Sequence, residues 1–216
     1  MSTKKNKYHY DVKNCYRFKG TRNDDGTITY SETPVREPGL RSFEAEAQGD
    51  LTVIRADGID YIVAANNAGY DITLNFVKVS DEFKVDQLGE VVDPATGIQY
   101  EDANATPAPF ALVGEFKGDV EGIRWIYYNV TANRTNDAGD NKDNQKEPDE
   151  ESISCKASPL PVTIDGEDHE IVKAAITKSM NAETWGAWFT AVTLPGGAAK
   201  QTEPPKQTEP PEQTEH

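Results

Sequence analysis

The segment 122–132 is the feature of this sequence that most restricts its fold. It contains IRWIYYNVTA, which is apolar at both alternating sets of positions for much of its length. Because successive side chains of a strand point to opposite faces of a sheet, such a strand needs cover on both sides. The segment 110–117 precedes it, and Gly118-Asp119 forms a short turn between the two. We therefore expect two long adjacent strands at the centre of a layered β-structure.

Most of the remaining chain also predicts strands. The first strand shows period-two alternation. The residues expected to face the core are Val12, Asn14, Tyr16 and Phe18, and those expected to face outward are Lys13, Cys15, Arg17 and Lys19. Asp57-Gly58 is a strong signal for a short hairpin. Further strands are predicted at residues 40–50, 51–56, 59–65, 70–79, 152–158, 161–164 and 170–177. The chain is therefore expected to be mainly β.

Two short helices interrupt this pattern. Ser80-Asp81-Glu82 is typical of a helix start, because a serine caps free N–H groups and acids favour the positive end of the helix dipole. Gly89 ends this helix, and Phe83 and Leu88 are predicted to pack on the sheet. Asn181 caps a second helical segment, which spaces four apolar residues at i, i+3, i+4 and i+7. They are Trp185, Trp188, Phe189 and Val192.

The two cysteines are predicted to be free thiols. Cys15 and Cys155 lie far apart in the sequence and have neither CxxC nor zinc-ligand spacing. Cys155 alternates with Ile153 and Ala157, so it is expected to face the core. Cys15 alternates with charged residues, so it is expected on a wetter face.

Length and charge restrict the function classes. A chain of 216 residues supports one compact core with tails. Its formal net charge of −15 argues against a surface that grips nucleic-acid phosphates. No apolar run approaches the ~20 residues of a membrane span, and the N-terminus has no apolar signal region. We expect a protein made and kept soluble in the cytoplasm, with no membrane partner.

The chain is expected to divide into an N-terminal arm, one domain and a C-terminal tail. Residues 1–10 form an N-terminal arm, residues 11–195 the domain, and residues 196–216 a tail. The tail repeats KQTEPP and has no apolar residue, so it is expected to be extended and solvated. Within the domain, residues 133–151 form a long acidic loop that predicts either a functional or a disordered segment.

No pattern of residues predicts catalysis or a bound metal. Acidic pairs such as Asp57/Asp60 and Asp119/Glu121 are common in a chain with 37 acids and need an independent reason to act as acid and base. The three histidines have no metal partner at helical or strand spacing, and the acidic loop lacks the register of a calcium loop. We expect no enzyme activity and no cofactor.

A surface adhesion or carbohydrate-binding β-sandwich is the main alternative class. Trp125, Tyr127 and Tyr128, or Trp185 and Trp188, could stack on sugar rings, but such aromatics are more often core or subunit interface. The absence of a signal peptide argues against this class. A glycan-cleaving enzyme is the third class, and it needs a paired-carboxylate cleft that the sequence does not suggest.

Four stretches of the sequence carry a family resemblance. They are KKNKYHYDVKNCYRF, NNAGYDITLNFVKVSDEFKVDQLGEVVD, FALVGEFKGDVEGIRWIYYNVTANRT and AETWGAWFTAVTLP. Their order resembles the major tail protein family of long-tailed, non-contractile phages of Gram-positive bacteria. The resemblance runs from about Thr3 to Pro195. The loop 133–151 contains more Asp and Asn than the family pattern does, and the KQTEPP tail lies outside that pattern.

The resemblance implies a fold and an assembly. It implies two packed antiparallel sheets, a sandwich or flattened barrel, with the short helix on its flank. Six copies would form a ring, and stacked rings would form a tail tube around a tape-measure protein, closed by tail terminator or distal tail proteins. The tube would assemble in the host cytoplasm and belong to the virion. Genome DNA would pass through without specific binding, since an acidic lumen repels phosphates.

The residues expected to serve this role fall into three groups. The candidate lumen acids, chosen because they lie near the ends of hairpin strands, are Asp57, Asp60, Asp71, Asp119 and Glu121. The candidate contacts between subunits or rings come from the arm and the acidic loop: Lys4, Lys5, Lys7, Tyr8, Asp137, Asp140, Asp143 and Glu147. Phe83 and Leu88 pack the flanking helix.

Overall fold

The structure is a computed structural model that describes residues 5–56, 58–136 and 149–197. Several predicted site residues lie outside these ranges: Lys4, Asp57, Asp137, Asp140, Asp143 and Glu147. The KQTEPP repeats also lie outside them, and the side chain of Asp60 is not described.

The described residues form a mainly β structure, as predicted. The strands are β1 (His9–Arg22), β2 (Ile28–Tyr30), β3 (Val35–Arg36), β4 (Leu40–Gln48), β5 (Leu51–Ala56), β6 (Ile59–Ala65), β7 (Gly69–Phe76), β8 (Val91–Val92), β9 (Gln99–Tyr100), β10 (Phe110–Gly118), β11 (Ile123–Ala132), β12 (Glu151–Ser158), β13 (Leu160–Ile164), β14 (Glu167–Ile171) and β15 (Lys173–Thr177). The α-helices are α1 (Asp81–Phe83), which continues as a π-helical turn (Lys84–Leu88), and α2 (Ala182–Ala187).

One antiparallel sheet of nine strands organises the molecule. Its main path is β2-β1-β10-β11-β12-β7-β4, while β3 pairs with β1 and β15 pairs with β11. The first half of β11 pairs with β15 and its last residues pair with β12, so the sheet forks at this strand. The hairpins β5–β6, β8–β9 and β13–β14 form three separate two-stranded sheets.

The sheet curls until β4 contacts β1. Phe43 of β4 reaches across to Trp125 and Phe116, with ring centroids 4.4 Å and 5.8 Å apart. No hydrogen-bonded ladder joins β4 to β1 within the part of the chain that the structure describes. The result is a flattened barrel whose two packed layers are halves of one continuous sheet, closed along this seam by side chains.

Two apolar clusters stabilise the barrel, one on each face of its central strands. The interior cluster includes Leu112 and Trp125, and the outer cluster includes Val113 and Ile126. Strands β10 and β11 thus contribute alternate residues to both clusters. The prediction of a central strand covered from both sides is confirmed. The cover on the outer cluster comes from Leu160 of the β13–β14 hairpin and from residues that follow β15.

The alternation predicted for β1 is wrong, because two bulges interrupt the strand. Asp11 and Asn14 have positive φ angles of 61° and 55°, and the pairing of β1 with β10 shifts at both places. A shift of one residue exchanges the two faces of a strand. Phe18 therefore joins the outer cluster, whereas Cys15, expected on a wet face, is buried in the interior cluster.

Both predicted helix starts are confirmed, but α2 ends at Ala187, before Trp188, Phe189 and Val192. The Ser80 hydroxyl oxygen accepts a hydrogen bond from the Phe83 N–H at 3.1 Å, and Gly89 ends the segment with a φ of 77°. Phe83 and Leu88 are buried against the sheet. The Asn181 side chain caps α2 by accepting from the Thr184 N–H at 3.0 Å. The predicted strand 170–177 is instead two strands, which break at the buried Val172.

Both thiols are expected to resist modification in the folded protein. Cys15 and Cys155 are 3% and 6% exposed. Burial raises the pKa of Cys155 to about 12 and raises that of Cys15 further. Since the thiolate is the reactive form, labelling by a disulfide reagent at pH 8 should be at least ~100-fold slower than in denaturant. Glutathione run in parallel controls for the reagent. Two thiols labelled within minutes without denaturant would contradict the buried placement.

Candidate functional site

The outer face of β4, β7 and β12 is a polar surface that neither apolar cluster uses. Its side chains alternate with Phe43 and Ala45 on β4, and with Ile153 and Cys155 on β12, which point inward. We call this surface the bare face. It comprises Ser42, Glu44, Glu46, Asp71, Thr73, Asn75, Ser152, Ser154 and Lys156, all exposed or half-buried.

Strand register brings the charges of the bare face together. Asp71 lies between Glu46 on β4 and Lys156 on β12, and its Oδ1 is 3.1 Å from the lysine Nζ. Glu44 lies opposite Thr73 one step along the ladder. With three carboxylates against one ammonium group, the face is net negative. It is also rich in hydroxyl groups, so it holds water well and offers little attraction to a polyanion.

The predicted lumen acids that the structure describes do not share one surface. Asp71 is on the bare face, whereas Asp119 and Glu121 are at the turn between β10 and β11, next to Ile123. Asp71 pairs with Lys156 of β12, which in turn pairs with Thr131 of β11. Asp71 and Thr131 therefore lie at the same position along the sheet. The distance along β11 from Ile123 to Thr131 is roughly 26 Å at the rise of a strand. Asp60 pairs through its backbone with Arg55, away from both groups.

Asp119 and Glu121 hold the N-terminal arm of their own chain. The Asn6 side-chain oxygen accepts from the N–H groups of Val120 and Glu121 at 2.9 Å and 3.0 Å. The Lys7 N–H donates to Asp119 Oδ1 at 2.9 Å. Lys5, Lys7 and Tyr8 remain exposed. Lys7 and Tyr8 are therefore held at their backbone by Asp119, while their side chains are exposed.

Glu121 has a second partner on the other side. Its carboxylate accepts from the Ser179 N–H at 2.9 Å and from the Ser179 hydroxyl at 2.5 Å. These bonds hold the pKa of Glu121 below its usual range. Glu121 thus connects the β10–β11 turn to the segment after β15, which is a structural use of this carboxylate.

The β5–β6 hairpin carries apolar side chains into solvent. We call Leu51–Ala65 the hairpin arm. It extends the β4–β7 ribbon, because the Asn66 N–H donates to the Asp50 carbonyl oxygen at 3.0 Å and the Ala68 N–H to that of Gln48 at 2.9 Å. Among its described side chains, the exposed large apolar ones are Leu51, Val53, Ile54 and Ile59. Clustered apolar exposure of this kind marks an interaction surface.

A second hairpin has similar exposure. Val91 and Val92 of β8, and Ile98 and Tyr100 at β9, are all exposed. The edge of β4 that does not pair with β7 faces β1 at the barrel seam, so it is not presented to another chain. The described residues therefore present two apolar hairpins to solvent.

Sequence reasoning missed the hairpin arm and two bare-face acids. It predicted strands β5 and β6, but the sequence does not show that they leave the sheet. Glu44 and Glu46 were assigned to a strand, yet their place beside Asp71 depends on the register of β4 on β7. The alternation of Glu with Phe43 and Ala45 was the available signal that they face solvent.

The candidate sugar-binding aromatics are mostly core residues. Trp125, Tyr127, Tyr128 and Trp188 are buried, and Trp185 packs against the outer cluster. In the described parts of the chain, no group of three or more His, Cys, Asp or Glu side chains is placed to hold a metal ion. None of the helices in those parts is long and apolar enough to cross a bilayer.

The chain was compared with known proteins. It matches no protein-family model, and it matches no curated protein sequence.

Proposed function

We propose that this chain is a structural virion protein that assembles into stacked hexameric rings and forms a phage tail tube. The observation that carries the proposal is the asymmetry of the barrel. One outer face is covered by the outer cluster and its helix, whereas the other is the bare face, hydrated and net negative. A tube subunit needs such a division, because one side faces a water-filled channel and the other faces the tube wall.

The proposed ring joins each copy to the next through the hairpin arm, which extends from the β4–β7 ribbon. In a closed ring the same contact would repeat at every subunit boundary. The hairpin arm would cover its apolar side chains on a neighbouring copy. The sequence resemblance to major tail proteins supports the same arrangement, with a tape-measure protein inside the growing tube and terminator or distal tail proteins at its ends.

The proposed channel surface is the bare face. Glu44, Glu46 and Asp71 from each copy would give a ring of carboxylates around passing DNA. Repulsion between these carboxylates and phosphates acts over about 8–10 Å at moderate salt, so DNA would slide without a stable contact. This role needs no catalytic group, metal or cofactor.

Negative-stain electron microscopy of the purified protein tests the proposal. We expect rings or tubes with six-fold symmetry, growing with protein concentration. Light scattering would follow the same samples. A strictly monomeric protein at high concentration, with no tubes even after seeding, would overturn the proposed function.

Charge reversal on the bare face is expected to slow genome ejection. Virions carrying Glu44→Lys, Glu46→Lys and Asp71→Lys together should release DNA at least ~10-fold more slowly at low salt, because lysines bind phosphates. Higher salt should restore the rate. The side chains are exposed, so folding should not change. Reversal of Glu167, Asp168 and Glu170 on β14 is the matched control. Equal ejection rates in both triple variants would remove the bare face from the channel.

A further inference from the structure

Arg17 is a fully buried cation that contacts carboxylates from two other elements. Its Nε lies 2.5 Å from Glu37 Oε1, and its Nη1 lies 2.9 Å from Asp86 Oδ2. The Arg17 side chain is 0% exposed, and that of Glu37 is 4% exposed. Arg17 belongs to β1, Glu37 precedes β4, and Asp86 lies in the π-helical turn. One guanidinium group thus joins three elements.

The carboxylates around Arg17 also hold the start of the helical segment, which we define as residues 80–89. The second oxygen of Glu37 accepts from the Ser80 hydroxyl at 2.8 Å. The same hydroxyl oxygen accepts from the Phe83 N–H as the helix cap. Glu37 therefore orients the capping residue, and its own position depends on Arg17.

The π-helical turn adds a second buried group. The Gln87 side chain is fully buried. With its amide oxygen facing Arg17 Nη1 at 3.0 Å, its nitrogen donates to the Ala108 carbonyl oxygen at 3.2 Å. The wider π turn allows the consecutive residues Asp86 and Gln87 both to reach Arg17, and turns of this type often occur at functional positions.

The same cluster covers one end of the interior core. Phe83 packs edge-on against Phe110, with centroids 5.7 Å apart, and the Arg17 guanidinium carbon lies 5.7 Å from the Phe83 ring centre. Leu88 is buried in the same cluster. The helical segment is thus a cap over the barrel interior, and its position is fixed by polar contacts as well as by apolar ones.

The stability of the cluster around Arg17 depends on each of its charges. A buried ion pair is stable only while both charges are present, because loss of one leaves the other uncompensated. Arg17 Nη2 is buried without a hydrogen-bond partner in the described residues, and the exposed Glu82 lies 4.0 Å from it. Loss of one carboxylate would therefore leave a guanidinium group that is already short of partners.

We propose that Arg17, Glu37 and Asp86 form an ionic latch that docks the helical segment on the barrel, and that the segment opens as a unit when the latch loses a charge. This inference does not depend on the proposed function, since it concerns the folded monomer.

Low pH is expected to open the latch, because it protonates Asp86. The charged groups that face Asp86 are Arg17 and Lys19, whose Nζ is 3.1 Å from Asp86 Oδ1; Glu37 and Glu82 face Arg17 itself. Burial tends to raise the pKa of Asp86, but hydrogen bonds from Arg17 and Lys19 hold it below its ordinary value of 3.8. A lowered pKa stabilises docking at neutral pH, and this contribution is lost as pH falls below about 3.8.

Hydrogen exchange on the whole protein tests the latch. In Arg17→Met, amides of residues 84–90 should lose at least ~100-fold of their protection, whereas those of β10 and β11 should change less than ~3-fold. Arg124→Met is the matched control, because Arg124 pairs with Glu115 and stacks on Trp185 of α2. It should release amides of α2 and leave residues 84–90 unchanged.

Asp86→Asn provides a second test if Arg17→Met does not fold. It removes one charge at a partly exposed site, so residues 84–90 should lose about 10-fold of their protection at pH 7. In the wild type, protection of these amides should fall as the pH is lowered from about 4 to about 2, and Asp86→Asn should flatten this dependence. Equal loss of protection across the whole barrel in either variant would overturn the latch, as would an unchanged pH dependence in Asp86→Asn.

Discussion

Replacing Gly114 with alanine should destabilise the protein by about 3 kcal/mol, the upper part of the usual range for overpacking a core. Gly114 lies opposite Trp125 in the β10–β11 ladder. A Cβ atom at this position would lie 2.7 Å from Trp125 Cε2 and Cη2, and closer still to Cζ2. No carbon pair approaches so closely in a relaxed core, so the indole ring would have to move.

The indole ring of Trp125 has little room to move. It is buried and stacks on Phe43 with centroids 4.4 Å apart, and it meets Tyr127 edge-on at 5.8 Å. A displaced ring would push on Phe43, the β4 side chain that reaches across the barrel interior to β10 and β11. The clash is therefore expected to loosen barrel closure as well as local packing.

Urea unfolding measures this effect. Gly114→Ala should lower the transition midpoint with an unchanged slope if the native barrel persists. Gly186→Ala is the matched control: Gly186 lies in α2 with open space around it, so alanine should be neutral or stabilise by up to about 1 kcal/mol. A midpoint for Gly114→Ala equal to that of the wild type would show that the ring packs differently.

Polar substitution of the hairpin arm should abolish assembly while leaving the monomer folded. The variant replaces Leu51, Val53, Ile54 and Ile59 with threonine, which keeps β propensity. If each side chain contributes about 1 kcal/mol on burial at a subunit contact, their loss weakens that contact by roughly 1,000-fold. The residues are exposed in the monomer, so its unfolding midpoint should change little.

Sedimentation and electron microscopy distinguish the outcomes. If the proposed assembly is right, the hairpin-arm variant should remain monomeric at concentrations where the wild type gives tubes. The β8–β9 hairpin offers the matched control, with Val91, Val92 and Ile98 replaced by threonine. Normal tubes from the hairpin-arm variant would place the subunit contact elsewhere, and loss of tubes only in the control would assign it to β8–β9.

Local signals in the sequence predicted the elements well. Ser80 and Gly89 marked a helical segment because capping and a left-handed end are properties of single residues. The apolar run in β11 predicted a central strand because double-sided burial leaves no polar face. These features depend on residues that are adjacent in the sequence, so they can be predicted from the sequence alone.

Features that depend on long-range register were not predictable. Asn14 gave no sign of its positive φ, so the faces of β1 were exchanged and the burial of Cys15 and Arg17 was missed. The bare face depends on how β4 and β12 align with β7; of the predicted lumen acids whose side chains the structure describes, Asp71 lies on it, whereas Asp119 and Glu121 do not. Arg17 has its carboxylate partners 20 and 69 residues away, beyond any spacing rule.

The position of β1 has a consequence for synthesis of the chain. His9 pairs with Gly118 at the end of β10, so β1 meets its long partner strand only about 110 residues later, whereas the short strands β2 and β3 can pair with it early. At a translation rate of about 5–20 residues per second, β1 waits roughly 5–20 s beside the ribosome. Closure of the sheet along the long edge of β1 is therefore delayed, as for other sheets built from distant pairings.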